Sequence, residues 1–314
     1  MSIPAAFAGV VLIWSTTPLA IKWSSEGTGF LFGVSSRMTL GALLCILLLL
    51  ALRQRFPLHK RAQKTYLAAG LGLYAAMLAV YWGAQYIPSG LVSVIFGLTP
   101  LVTGLLARQW LNNERFGIEQ FLGSIAGIFG LAVIFDGSLR HEAIAIQGIL
   151  GVLLSVFLHS LSAILVKRSG HDIPALALTT GGLSCAAPLY LLTWVFMDHA
   201  TLPTEIPLKA ALSIIYLSVF GSVIGFVLYF YILKRVHAGR VALVTLITPV
   251  IALFIGRTIN AEPLTGQTLI GAAMILSGLG IYQWREVRAA LRPSAGLAKN
   301  QAVNNGWTDP ETRP

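Results

Sequence analysis

The chain is expected to fold as an all-α integral membrane protein, with ten transmembrane helices arranged as two inverted five-helix repeats. Three observations predict this: a composition too apolar for a water-facing surface, long stretches without charge, and an internal sequence repeat. Of 314 residues, 56% are hydrophobic and only 11% are charged, with a mean hydropathy of +0.76. Soluble domains carry about 25% charged residues, so 22 basic and 12 acidic side chains cannot clothe this chain in the usual way. Two cysteines exclude a disulfide scaffold, and the apolar content excludes low-complexity disorder.

The charge-free stretches place the helices. They run Ser2–Ile21, Thr65–Ala107, Gln120–Phe135, Ala143–Val166, Ile173–Met197, Ala210–Leu233, Val241–Gly256 and Leu264–Trp284. A spanning helix needs about 20 apolar residues. Thr65–Ala107 is too long for one span, and the turn-forming Ile87-Pro88-Ser89-Gly90 divides it in two. A further span, Gly27–Leu52, is interrupted only by Arg37. The expected helices are therefore 2–21, 29–51, 65–86, 90–107, 118–135, 146–166, 174–196, 210–233, 239–257 and 265–284.

The basic residues orient these helices. With a cytoplasmic N-terminus, the outer loops hold only Lys22, Arg140, Lys209 and Arg257. The inner loops hold Arg53, Arg55, Lys60, Arg61 and Lys64, then Arg108 and Arg115, Lys167 and Arg168, and Lys234, Arg235 and Arg240. The tail adds Arg285, Arg288, Arg292, Lys299 and Arg313. This bias is the positive-inside pattern, and it puts both termini in the cytoplasm. It also accounts for the net charge of +10 without a nucleic-acid partner, which would want a basic face on a folded domain. The first span has no basic n-region and is too long for a signal-peptide core, so it is expected to remain as a helix. From Ser294 the chain is polar and aperiodic, which predicts a disordered cytoplasmic tail over 286–314.

The two halves repeat. At one constant offset Gly72, Gly90, Val92, Thr99, Pro100 and Arg108 meet Gly221, Gly239, Val241, Thr248, Pro249 and Arg257. After a one-residue slip Glu114, Gly123 and Gly130 meet Glu262, Gly271 and Gly278, while Ser15 and Lys22 meet Ser160 and Lys167. The units are 1–137 and 146–285. Five spans is an odd number, so the second copy enters the membrane from the other side. Inverted repeats recur in secondary transporters, where similar halves exchange roles between inward-open and outward-open states.

These residues resemble the drug/metabolite transporter superfamily, in its ten-helix EamA branch. The resemblance rests on Leu12-Ile13-Trp14-Ser15 with Pro18 and Lys22, on Arg37, and on Pro100 followed by Glu114. In the second half it rests on Phe220-Gly221-Ser222 with Leu228-Tyr229, and on Pro249 followed by Glu262. The family often has Trp-Gly-x-Asn in helix 1, where this chain has Trp14-Ser15-Thr16-Thr17. The resemblance implies a bacterial inner-membrane exporter of amino acids or other small metabolites, with a central cavity between the halves.

The embedded polar and aromatic residues are the candidate substrate-binding and pathway positions. Arg37 is the only formally charged side chain well inside an expected span, where it is costly and must face protein or a wet cavity. It can grip a carboxylate bidentately, or clamp backbone carbonyls of a neighbouring helix. His159 occupies the repeat position of Trp14 and can bind substrate, carry a proton or rest as a neutral, hydrogen-bonded imidazole. No Asp or Glu falls deep in an expected span, so a carboxylate proton relay is not expected. Tyr74, Tyr81 and Trp82 lie in one repeat-related helix and Tyr229 and Phe230 in the other, either lining a cavity or packing. Gly123-x-x-x-Gly127 and neighbouring glycines suit close helix packing.

Thr99-Pro100 and Thr248-Pro249 lie near mid-span. Each proline deprives the carbonyl four residues earlier, on Phe96 or Thr245, of its helical donor and bends the helix. The bends are expected to face the pathway and act as hinges, the alternative being kinks for packing with the threonines satisfying the freed carbonyls. Thr17, in the place of the family's Asn, completes the candidates.

The chain has no His-Glu-x-x-His, no Gly-x-Ser-x-Gly and no P-loop. A membrane-embedded transferase or lipid-modifying enzyme is the alternative reading, and a receptor without a soluble domain is a further one. Neither a cofactor nor a metal is expected; the partners are a small-molecule substrate and the lipid bilayer, and the oligomeric state is left open.

Overall fold

A computed structural model describes residues 2–110, 118–141, 143–169, 173–235, 244–282 and 284. Every regular element among them is helical. In order these are α1 (Ile3–Ser25), α2 (Phe30–Ala51), α3 (Lys60–Gly83), α4 (Ser89–Phe96), α5 (Thr99–Trp110), α6 (Ile118–His141), α7 (Ala143–Ser169), α8 (Ala175–Asp198) and α9 (Leu208–Tyr216). A π-helical segment, Leu217–Ile224, then joins α9 to α10 (Gly225–Arg235), and α11 (Val244–Asn260) and α12 (Gly266–Tyr282) follow. Helices are the natural outcome for such apolar runs, because lipid offers no partner to an unpaired backbone group.

Seven helical stretches are long and apolar enough to cross a membrane: Ile3–Ser25, Phe30–Ala51, Lys60–Gly83, Ser89–Trp110, Ala145–Ser169, Ala175–Asp198 and Leu208–Ile232. Ile118–Ile134, Ile247–Asn260 and Gly266–Tyr282 are shorter apolar helices. The helix boundaries follow local chemistry. Helix α3 begins at Lys60 rather than Thr65, because His59 caps it, Nδ1 accepting from the Ala62 amide at 3.2 Å. The turn within Thr65–Ala107 lies at Ala84–Pro88, slightly earlier than the Pro-Ser-Gly signal suggests, since Ser89 already opens α4 behind Pro88. Between α1 and α2 the chain reverses through Gly27 and Gly29, at φ of 73° and 80°. Side chains with a Cβ rarely adopt those angles.

The core is built by helix pairs. Helix α3 packs on α7 and α8, α2 on α8, α4 on α11, and α6 on α12. The α6–α12 seam is close enough that a Cβ added at Gly130 would stand 2.6 Å from the Gly271 carbonyl oxygen, and one at Gly271 equally close to that of Gly130. Gly123 and Gly278 approach each other in the same reciprocal way. These are glycines that the repeat had singled out, and small residues are what allow such helix backbones to touch.

The two proline sites differ. In the first half α4 stops at Phe96, Gly97 and Leu98 form a turn, and α5 resumes at Thr99. The tightening shows in 3₁₀-type bonds, Gly97 N–H to Val94 O and Leu98 N–H to Ile95 O, both 3.0 Å. In the second half α11 runs unbroken through Pro249. The expected pair of symmetric breaks is thus one break and one continuous helix. Glu114, Arg115, Gly239, Arg240, Val241 and the expected tail, 286–314, lie outside the described residues.

Candidate functional site

Three of the candidate residues, from α1, α7 and α10, meet. Trp14 from the middle of α1 lies against Tyr229 of α10, ring centroids 5.1 Å apart and planes inclined at 36°. His159 of α7 stands edge-on to Trp14 at 6.4 Å and 6.1 Å from Tyr229. Phe230 extends the cluster at 5.4 Å from Tyr229. Beside it is a partly open pocket whose empty volume, the open solvent at its mouth included, is about 470 Å³. His159, Ser162, Ala163 and Val166 of α7 face Phe226, Tyr229 and Phe230 of α10 across it. Ala69 and Leu73 of α3, with Leu178, Thr179, Gly182 and Leu183 of α8, complete the wall. This is a mostly apolar pocket with a few convergent polar groups, the usual constitution of a small-molecule site.

Those polar groups differ in how they are satisfied. Ser162 donates to Ala68 O at 3.3 Å and Thr179 to Ala175 O at 3.0 Å. The imidazole of His159 and the hydroxyl of Tyr229 make no hydrogen bond with any described residue.

Arg37 belongs to a second cluster. It is 2% exposed, and its Nε donates to Ser222 Oγ at 3.0 Å. Its guanidinium also reaches the Tyr81 hydroxyl at 3.5 Å and lies 5.9 Å from the centre of that ring. The π-helical segment is what brings Ser222 there: Ser218 donates to Arg37 O at 3.2 Å, and Gly221 leaves space where a Cβ would be 3.0 Å from the guanidinium. The partners of Arg37 are hydroxyls, where a clamp on carbonyls was one expectation, and no described carboxylate pairs with it. Nor does it line the cavity.

The remaining candidates have local partners. Tyr74 exchanges a 2.6 Å hydrogen bond with Thr193 and meets Tyr190 edge-on at 5.0 Å. Thr17 donates to Ile13 O at 2.7 Å within α1. Thr99 donates to Phe96 O at 2.6 Å, supplying the carbonyl that Pro100 cannot. Ser160 of α7 approaches the Thr99 carbonyl at 3.5 Å. Thr248 and Pro249 are buried in α11.

Sequence reasoning missed one residue. Glu262 follows α11 in a loop, yet it is only 4% exposed. Its Oε2 accepts from Ser89 Oγ at 2.9 Å and from the Gly90 amide at 3.3 Å, so it caps the N-terminus of α4. Its Oε1 accepts from Asn260 at 3.0 Å and pairs with Lys22 at 3.8 Å. Asn260 in turn accepts from Trp23 Nε1 at 2.9 Å, and Lys22 reaches Ile87 O at 3.4 Å. The cluster ties the end of α1 and the start of α4 to the end of α11. The repeat pairing of Glu114 with Glu262 and the resemblance carried by Pro249 followed by Glu262 pointed to this position, but neither gave it a role.

Comparison with known proteins agrees with this architecture. The transporter YoaV of Bacillus subtilis, itself uncharacterized, is 26% identical over 86% of this chain and 92% of its own length. A probable amino-acid metabolite efflux pump of Escherichia coli is 25% identical over 88% of this chain and 94% of its own. A probable terminal-alkyne amino-acid exporter of Streptantibioticus cattleyicolor is 25% identical over 88% and 91%. One crystal structure of a protein shares the fold with a TM-score of 0.64 and 19% identity, over 92% of this chain and 98% of its own. The EamA-like transporter family matches residues 2–136 and again residues 146–282, nearly the whole described length. The chain therefore belongs to the EamA-like transporter family and is a multi-pass membrane transporter, not an enzyme.

Proposed function

We propose that the protein is a secondary transporter that exports small organic metabolites, amino acids or related compounds, by alternating access between two inverted five-helix repeats. The observation that carries this is the contrast between its two ends. The cavity is walled by the part of α7 leading to Lys167 and Arg168, the part of α3 that follows Lys60, Arg61 and Lys64, and α10, which ends at Arg235. By the positive-inside pattern that is the cytoplasmic half. At the opposite end the Glu262 cluster fastens α1, α4 and α11 together, and Lys209 pairs with Glu26 at 2.9 Å on the exposed surface. A pocket on one side and helices fastened together on the other support the reading of an inward-facing state of an alternating-access carrier.

Further support comes from residues that are equivalent in the repeat and meet face to face. His159 stands at the repeat position of Trp14, and the two rings touch. Gly123 and Gly130 pair in sequence with Gly271 and Gly278, and in space each packs on the other's counterpart. Residues near a two-fold axis in the membrane plane behave in this way. Export as the direction, with both termini in the cytoplasm of a bacterial inner membrane, is supported by the names of the efflux pump and exporter relatives and by the charge bias.

The test is counterflow. Sealed liposomes containing only this protein, preloaded with unlabelled amino acids or their derivatives, should take up the labelled compound transiently against its gradient. Uptake no faster than in protein-free liposomes, over a broad metabolite panel, would overturn the transport mechanism. A C-terminal reporter active only on the outer side of the membrane would overturn the topology.

A further inference from the structure

Among the described residues, none with a fixed charge lines the cavity. Among its lining residues only His159 and Tyr229 can titrate, and the rest are aliphatic, aromatic or hydroxyl side chains and a glycine. The nearest embedded cation the sequence offers, Arg37, is turned to Ser222 and Tyr81 and does not line the cavity. Glu262 lies in the cluster at the other end. A free amino acid entering this space would bring an ammonium and a carboxylate and find a counter-charge for neither. Moving an unpaired ion out of water costs more than attraction between a cation and the ring faces of Phe226, Tyr229 and Phe230 returns.

What the cavity does offer is specific. The rings of Phe226, Tyr229 and Phe230 in its wall suit the edge or face of another aromatic ring. The imidazole of His159 and the hydroxyl of Tyr229 have no hydrogen-bond partner among the described residues, and both border the empty space. Ser162 and Thr179 have donated their protons to backbone carbonyls, so their hydroxyl oxygens can still accept. A neutral amide or ester supplies donors and acceptors to such groups without a charge to desolvate.

We propose that the transported solutes are uncharged aromatic metabolites, such as amino acids masked at both the amino and carboxyl groups, held by His159, Phe226, Tyr229 and Phe230. This rests on the transport reading above and narrows its substrate class. The test compares four phenyl compounds that differ chiefly in charge, titrated calorimetrically near neutral pH into the purified protein in lipid nanodiscs. They are N-acetylphenylalaninamide (neutral), N-acetylphenylalanine (anion), phenylethylamine (cation) and phenylalanine (zwitterion). The neutral compound should bind at least roughly tenfold more tightly than any other, the scale on which an unpaired charge separates ligands. Tyr229→Phe and His159→Ala should each weaken it by about fivefold, as for one lost neutral hydrogen bond, without lowering the melting temperature of the empty protein.

Tighter binding of phenylalanine would overturn the inference, and so would tighter binding of the anion, which would bring Arg37 into the site. Failure of all four to bind, or full affinity in both variants, would overturn it as well. Counterflow of free amino acids by the same preparation would leave the transport reading standing while the inference fell.

Discussion

The two ends of the molecule differ in how completely their polar atoms are satisfied. In the Glu262 cluster each carboxylate oxygen has hydrogen-bond donors from a neighbouring element, and Lys22, Asn260, Ser89 and Trp23 are all engaged. At the cavity, the imidazole of His159 and the hydroxyl of Tyr229 face open space without partners among the described residues. Buried polar groups are normally paired, so a saturated cluster and an unsaturated one ask for different explanations. The first holds its shape by itself and fastens helices together. The second has donors and acceptors left over, which is what the proposed transport site requires. A carrier that must close one end while presenting a site at the other needs both kinds.

The largest expected effect is at the Glu262 cluster. Glu262→Ala removes the acceptor for Ser89, the Gly90 amide and Asn260 together, and leaves Lys22 without its carboxylate. Breaking a buried, charge-assisted set of this kind costs about 3 kcal/mol. The variant should melt well below the parent in detergent, and Glu262→Gln, which keeps one acceptor oxygen, should fall between them. A melting temperature unchanged in both variants would mean that the cluster fastens nothing.

Arg37 is expected to matter less to stability than Glu262, and it separates packing from binding. Arg37→Lys keeps the charge but loses the planar fork that spans Ser222 and Tyr81. The expected loss is about 1–2 kcal/mol of stability, one or two hydrogen bonds' worth. Affinity for a neutral aromatic solute should be unchanged once the protein is folded. Normal stability with weakened binding would reverse that assignment and make Arg37 a ligand for substrate.

Why Glu262 escaped the sequence reading while Arg37 did not is a matter of scale. A lone Arg within Gly27–Leu52 is visible because its surroundings in sequence are apolar. Asn260-Ala261-Glu262 reads as a polar loop, and its burial depends on residues distant in the chain. A Cβ at Gly256 would stand 2.5 Å from the carboxylate, and one at Gly90 would stand 2.8 Å from Leu253. Only the fold shows that these glycines make room for it. The π-helical segment was hidden for a similar reason. Its extra residue per turn is set by what Ser218 and Ser222 reach on α2, not by any local propensity. In contrast, the positions of the long helices were legible, because charge-free length alone decides them. The sequence paired Trp14 with His159 as repeat positions, but only the fold shows their rings 6.4 Å apart.

The smallest expected effect on stability, and the most informative about movement, concerns the two Thr-Pro pairs. They share a dipeptide but not a backbone. In the first half Gly97 precedes Leu98, Thr99 and Pro100, the helix breaks there, and Thr99 satisfies Phe96 O at 2.6 Å. In the second half Leu246 stands where Gly97 does, and α11 stays continuous through Pro249. Glycine lowers the cost of leaving the helix by about 1 kcal/mol relative to a good helix former, enough to decide which copy breaks. If the break is a hinge, the copies are functionally unequal. Pro100→Ala restores a donor to Phe96 O, lets α4 and α5 merge, and should slow counterflow by roughly tenfold, about 1.4 kcal/mol on the rate-limiting movement, with affinity little changed. Pro249→Ala alters a helix that is already continuous and should slow it by no more than about twofold. Thr99→Val, which removes only the hydroxyl, should lower stability by about 1 kcal/mol while leaving the break in place. Equal slowing by both proline substitutions would show that the break in the first half has no special role. Unchanged rates in both single variants and in the double variant would remove the hinge from the mechanism altogether.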